Sequence, residues 1–263
     1  MTAPILHFRE LGQHQRSNGS LFIFHGLFGS SDNWQTIAKT LAEHFHVVLA
    51  DMRNHGRSFH ANSMSYADMA SDMRHLIEHL QPLRTVVIGH SMGGKAAMQL
   101  AANFFDVPQG LVVIDIAPRA YPPHHQHVIA ALNAIPLDTL QSRQEAETIL
   151  TNHGIDLSTR QFLLKSLYRT ENNRFAWRFN LPVITQQIIQ VGQGLTSKQP
   201  ITTPTLFIRG SRSPYITNQD IEQIATLFPN SQLVTIQNAG HWVHAEQPAA
   251  LTQALLAFLQ EEL

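Results

Sequence analysis

A chain of 263 residues, 43% hydrophobic and 14% charged, has room for one large α/β domain plus an insertion and is too apolar to be a disordered segment. Its formal net charge of −1 argues against nucleic acid held by bulk electrostatics, no apolar run reaches membrane-span length, and zero cysteines exclude a disulfide framework and thiolate chemistry. Met1-Thr2-Ala3-Pro4 has neither a basic nor an apolar leader segment, so the expectation is a cytoplasmic protein without a signal peptide.

In chain order, Leu6 to Leu11 alternates weakly and predicts an edge strand, followed by a polar turn from Gly12 to Ser20. Leu21-Phe22-Ile23-Phe24 is a short continuous apolar run, the pattern of a strand buried on both faces. It runs into His25-Gly26-Leu27-Phe28-Gly29-Ser30, and Ser31 or Asp32 can cap the helix carrying Trp34, Ile37, Ala38 and Leu41. Val47 to Ala50 is the next buried strand and ends in the polar loop Asp51 to Ser58. Ser65 with Asp68 opens a helix whose Tyr66, Met69, Met73, Leu76 and Leu80 share one face.

Val86-Val87-Ile88 then meets Gly89-His90-Ser91-Met92-Gly93, and a small-residue helix begins at once. Gly-x-Ser-x-Gly between a strand and a helix is the setting of a nucleophile elbow, in which the serine stands on a strained turn that leaves room only for glycine on either side. Leu111 to Ile114 is another buried strand with Asp115 at its C-terminal end. From Pro118 to Pro200 the rhythm becomes helical, with patterns near 128–132, 142–150, 159–167 and 182–191 and no convincing strand. Strands resume at Thr205 to Ile208 and Leu233 to Ile236, and Pro248 opens a closing helix. Apolar strands alternating with helices predict a mainly parallel sheet covered on both faces, with ligands beyond the C-terminal strand ends. The expected domains are a core of residues 1–117 and 201–263 and a helical cap over 118–200.

A serine needs a base, and the base needs an orienting acid. His241, in the loop Asn238-Ala239-Gly240-His241-Trp242 after the last strand, is the expected base; His244, one turn further on, is its rival. Asp115 satisfies the chain order Ser…Asp…His. Backbone N–H groups of Met92 and Leu27 are the expected oxyanion donors, with Phe28 the alternative to Leu27 and a substrate-binding position. Asp51 also ends a strand, but it precedes the serine and reads as a pin for its own loop through Arg53 or Arg57. Most other histidines, including His124-His125-x-His127, read as solvated positions, and no carboxylate or cysteine stands at a persuasive metal-ligand spacing, so no metal is expected. Residues 118–200 carry eight Lys/Arg against five Asp/Glu, a charge of +3 that leaves −4 for the rest.

These patterns resemble the α/β-hydrolase superfamily over the whole chain, and more narrowly the small bacterial esterases of the YbfF type. The resemblance rests on His25 to Ser30 with Trp34, on Asp51 to Ser58 with Asn54, on Gly89 to Gly94, on Asp115-Ile116-Ala117-Pro118 and on Gly210-Ser211-Arg212-Ser213-Pro214-Tyr215. It implies an α/β-hydrolase fold with a helical cap inserted after the sixth strand, and cofactor-free hydrolysis of small acyl esters or acyl-CoA thioesters. Most of the wider family places its acid three residues after a glycine ending the penultimate strand, and here Ser213 fills that slot. The acid is therefore expected at Asp115, with Ser213 an auxiliary partner of either Asp115 or His241. Two other readings share the scaffold: a C–C bond hydrolase or lyase, and a ligand-binding receptor with little turnover.

Overall fold

The computed structural model describes residues 4–122 and 125–262. Among them, seven strands form one sheet in the order β1-β3-β2-β4-β5-β8-β9, all parallel except β1. These are β1 (Phe8–Leu11), β2 (Ser20–Phe24), β3 (His46–Ala50), β4 (Thr85–His90), β5 (Gly110–Ile114), β8 (Thr205–Gly210) and β9 (Ser231–Ile236). Two further strands, β6 (Leu167–Arg169) and β7 (Phe175–Trp177), pair as a separate hairpin.

The apolar runs are continuous because helices cover both faces of the sheet. Leu21, Ile23, Val47, Leu49, Val86 and Ile88 pack into one core with α1 (Gln35–Leu41) and α10 (Pro248–Glu262). Their neighbours Phe22, Phe24, Val48, Ala50 and Val87 point the other way, against α2 (Tyr66–Leu80) and α3 (Met92–Asn103). Period-two alternation is thus present but hidden, since both sets are buried.

Between β5 and β8 run α4 (Gln126–Asn133), α5 (Arg143–Asn152), α6 (Leu157–Lys165), the β6–β7 hairpin and α7 (Leu181–Val191). Its two stems lie side by side: Tyr121 N–H donates to the Gly192 carbonyl (2.8 Å) and Leu195 N–H to that of Pro118 (2.8 Å). After β8 come α8 (Ile221–Leu227), then β9, α9 (Val243–Glu246) and α10.

Three local readings change. The insertion follows the fifth strand in chain order, not the sixth, because only β1 to β5 precede it. The stretch 118–200 does contain strands. The last pattern before them ends as helix α6 at Lys165, and Leu167 starts β6. Finally, Ser30, not Ser31 or Asp32, makes the capping box with Asn33, and the first turn is 3₁₀ before α1 begins.

Candidate active site

The C-terminal ends of β2, β4, β5, β8 and β9 converge on one edge. Ser91 sits between β4 and α3 at φ 52°, ψ −117°, a strained conformation for a residue with a side chain. The turn closes so tightly that a Cβ on Gly89 would lie 2.3 Å from the Gly93 carbonyl oxygen. That contact explains why the motif requires glycine there.

His241, in the loop after β9, accepts from the Ser91 hydroxyl at Nε2 (3.1 Å), and its Nδ1–H donates to Asp115 Oδ2 (2.8 Å). Asp115 is fully buried. Its other oxygen accepts the Gly210 N–H (3.0 Å), and the Ser213 hydroxyl donates to the same Oδ2 that holds His241. Three donors therefore compensate a carboxylate removed from water. Ser213 contacts the acid, which decides between its two expected partners. The Ser-His-Asp series thus runs across three strand ends, in the order the sequence suggests.

The rivals lie elsewhere. His244 is buried against Trp34 (ring centroids 4.7 Å apart), and burial, with His241 nearby, pushes its pKa down to about 3. Asp51 accepts the N–H groups of Ser31 (2.7 Å) and Arg57 (2.9 Å). It pins its loop as expected, but through main chain; the Arg53 guanidinium instead forks onto Asp72 (2.6 and 2.9 Å).

Two buried histidines shape the loop after β2. His55 accepts the Phe28 N–H at Nε2 (3.1 Å) and donates from Nδ1 to the Arg53 carbonyl (2.9 Å). His25 accepts the Met52 N–H (3.0 Å) and donates to the Gly26 carbonyl (2.8 Å). Each uses one nitrogen as acceptor, which requires the neutral ring. Burial lowers both pKa values, that of His55 to about 3. The Phe28 N–H is thus committed to His55, while Met92 opens α3 directly after Ser91.

Sequence reasoning missed several groups here. His90 is buried and donates from Nε2 to the His241 carbonyl (2.9 Å), its ring 4.8 Å from that of His241. Glu246 accepts the N–H groups of Gly240 (2.9 Å) and Trp242 (3.2 Å), fixing the loop on both sides of His241. The Tyr215 ring stacks on His241 at 4.1 Å, and burial beside Asp115 pushes its phenol up to about 12. Tyr215 follows the Ser213 slot by two residues, a spacing that could have drawn attention to it.

In front of Ser91 and His241 lies a cavity of about 220 Å³. It is lined by Gly26, Leu27, Phe28, Tyr215 and Trp242 of the core and by Val128, Phe162 and Leu163 of the insertion. Phe162 stacks on Trp242 at 3.8 Å, so insertion and core meet in the lining and share a wall. His125, half-buried in the loop before α4, and Thr159 also line it; His124 lies outside the described residues. Among the described residues no cluster of three or more His, Cys, Asp or Glu could hold a metal, and no helix is long and apolar enough to cross a membrane.

The chain belongs to the α/β-hydrolase family: the family model for the alpha/beta hydrolase fold matches residues 19–248. Within it, the chain is 38% identical to esterase YbfF of Escherichia coli, over 96% of this chain and 97% of that protein. It is 37% identical to the mouse protein named sn-1-specific diacylglycerol lipase ABHD11, over 91% and 80% of the two chains. The solved structure of a marine microorganism esterase superposes with a TM-score of 0.93 at 42% identity, covering 97% of this chain and 100% of that one. That kinship places the chain among the hydrolases of ester bonds.

Proposed function

We propose that Ser91, His241 and Asp115 hydrolyse small carboxylic esters through an acyl-enzyme, and that residues 118–200 act as a cap shaping the acyl pocket. The observation that carries the reading is the continuous hydrogen-bonded series Asp115–His241–Ser91 opening on a mainly apolar cavity. His241 Nε2 takes the Ser91 proton as Oγ attacks the acyl carbon. The carbonyl oxygen becomes an oxyanion between the Met92 and Leu27 N–H groups, and Asp115 stabilises the imidazolium that forms. His241 then protonates the departing alkoxide. A water molecule then gives its proton to the same nitrogen and attacks the acyl carbon, and as the bond to Ser91 Oγ breaks His241 returns that proton to Oγ, releasing the acid and the free serine. Ser213 supports the Asp115 carboxylate, and Phe28 contacts the acyl group.

A cavity of about 220 Å³ is smaller than the roughly 300–1,000 Å³ of drug-sized sites, which favours short acyl chains. Thioesters are open to the same attack, so acyl-CoA belongs to the tested range. Against a phosphate-binding face, Arg143 donates to the carbonyls of Leu164 (2.6 Å) and Leu167, Arg160 to that of Ile155 (2.5 Å), and Arg169 to that of Gln141 (2.9 Å). Much of the positive charge of the cap is thus engaged with its own main chain. A cytoplasmic location remains part of this proposal.

The test is a fluorophosphonate probe with a p-nitrophenyl ester series from acetate to octanoate and matching acyl-CoA substrates. Labelling at Ser91 and a kcat/KM peak at short chains are expected, both lost in Ser91→Ala. Labelling without turnover of any ester would shift the reading to C–C bond cleavage or ligand binding. Wild-type hydrolysis by Ser91→Ala would overturn it.

A further inference from the structure

Lys95 lies one helical turn beyond Ser91 on α3, yet it has no place in the reaction above. It is 1% exposed, and no carboxylate pairs with it among the described residues. Its Nζ instead donates to three main-chain carbonyls: Pro118 (3.2 Å) and Arg119 on the stem entering the insertion, and Gln193 (2.8 Å) on the stem leaving it. An ammonium has three N–H donors, and here each finds an oxygen. A neutral amine would turn its lone pair toward one of those carbonyls. Burial and the nearby Arg119 charge pull the Lys95 pKa down to about 7. The three carbonyl acceptors match the donors of the charged form.

We propose that the Lys95 ammonium is a positioning residue that clamps both stems of the insertion to the nucleophile helix and so sets the far wall of the acyl pocket. The two stems already bond each other through main chain, but the other ties from the core hold one stem only. The Tyr66 hydroxyl donates to the Val191 carbonyl (2.6 Å), Gln99 Nε2 to that of Thr196 (2.9 Å), and Arg119 pairs with Asp220 (2.7 Å). Lys95 joins the two. Its ammonium also lies 5.2 Å from the centre of the Tyr121 ring, whose hydroxyl accepts the Ala117 N–H (2.8 Å) and donates to the Tyr215 carbonyl (2.5 Å). Tyr215 is the ring stacked on His241. The clamp therefore reaches the pocket by two routes: through the stems to Val128, Phe162 and Leu163, and through Tyr121 to Tyr215.

This role rests on the esterase reading for its kinetic test but not for its structural one. In Lys95→Met, KM for p-nitrophenyl butyrate should rise about ten-fold with kcat held within about two-fold, while acetate, which needs less of the wall, shifts less than about three-fold. Hydrogen exchange at the amides of Arg119 to Tyr121 and Gln193 to Leu195 should quicken by about ten-fold. A chain without cysteine allows a chemical rescue. Lys95→Cys, S-aminoethylated in denaturant and refolded beside wild type, restores an ammonium at nearly the same reach, whereas S-methylthiolation leaves a neutral thioalkyl group. The aminoethyl form should recover wild-type stem exchange and butyrate KM, and the methylthio form should not. Equal behaviour of the two forms, failure of the aminoethyl form to recover, or a Lys95→Met protein matching wild type in both readouts overturns the clamp. Should wild type hydrolyse no ester at all, the esterase reading falls and stem exchange still decides the role of Lys95.

Discussion

The core edge and the insertion position their functional groups by different means. At the edge, side chains are placed by where strands stop: Ser91, Asp115 and His241 follow β4, β5 and β9, and main-chain contacts such as Gly210 N–H to Asp115 fix their orientation. The insertion is held mostly by side chains reaching main-chain oxygens, as Ser166 does to Phe28 (2.8 Å) and Tyr66 to Val191 (2.6 Å). A strand end inherits the rigidity of the sheet, whereas a side-chain tie can be lost without unfolding anything. Under the proposed function, that difference puts the chemistry at the edge and the selectivity in the insertion.

The sharpest way to break that division is Asp115→Asn, which should lower kcat by roughly 10⁴-fold because His241 loses its orientation and its counter-charge. A folded Asp115→Asn enzyme within ten-fold of wild type would remove the edge from its role. Acid should act on the edge next. His55 and His244 are held neutral with folded pKa values of about 3, below the ordinary value of 6.5. Between those limits the unfolded chain binds more protons, so stability falls as pH drops below about 6.5, by roughly 1.4 kcal/mol per pH unit for each histidine. Chemical denaturation across pH 4 to 7 measures it. His244→Phe, which keeps the stack on Trp34, should remove one histidine's share of the slope; an unchanged slope would show that His244 is not held neutral.

Smaller effects sharpen the same contrast. Ser213→Ala removes one supporting hydrogen bond and should cost roughly ten-fold in kcat with KM little changed. A loss rivalling that of Asp115→Asn would make Ser213 more than auxiliary. On the insertion side, Phe162→Ala should raise KM for butyrate about five-fold with kcat nearly constant, since it trims the shared wall and touches no reacting atom. A fall in kcat instead, seen in steady-state kinetics across the ester series, would tie the insertion to the chemical step.

The edge was legible in the sequence because each functional group follows a run that can only be a buried strand. Ser91, Asp115 and the loop holding His241 could be placed by counting such runs. The insertion offered no equal marker. Its strands β6 and β7 are three residues each, too short for alternation to show, although Asn173 at φ 59° marks the turn between them. Tyr215, Glu246 and Lys95 were hidden for another reason: their roles depend on partners brought together only in the folded chain. Burial of Lys95 in particular runs against its residue type, and nothing near it in sequence announces the three carbonyls that receive it.

The pairing of the two stems, Tyr121 with Gly192 and Pro118 with Leu195, has a consequence for how the chain can be rebuilt. Seen from the sheet, everything between them is an excursion that leaves and returns through one narrow gate. Closing such an excursion costs little more when it is long than when it is short, about 0.6 kcal/mol for each doubling of its length. The segment is therefore exchangeable in principle, and a different set of helices spliced at the same two hydrogen bonds would meet an unaltered β5–β8 seam.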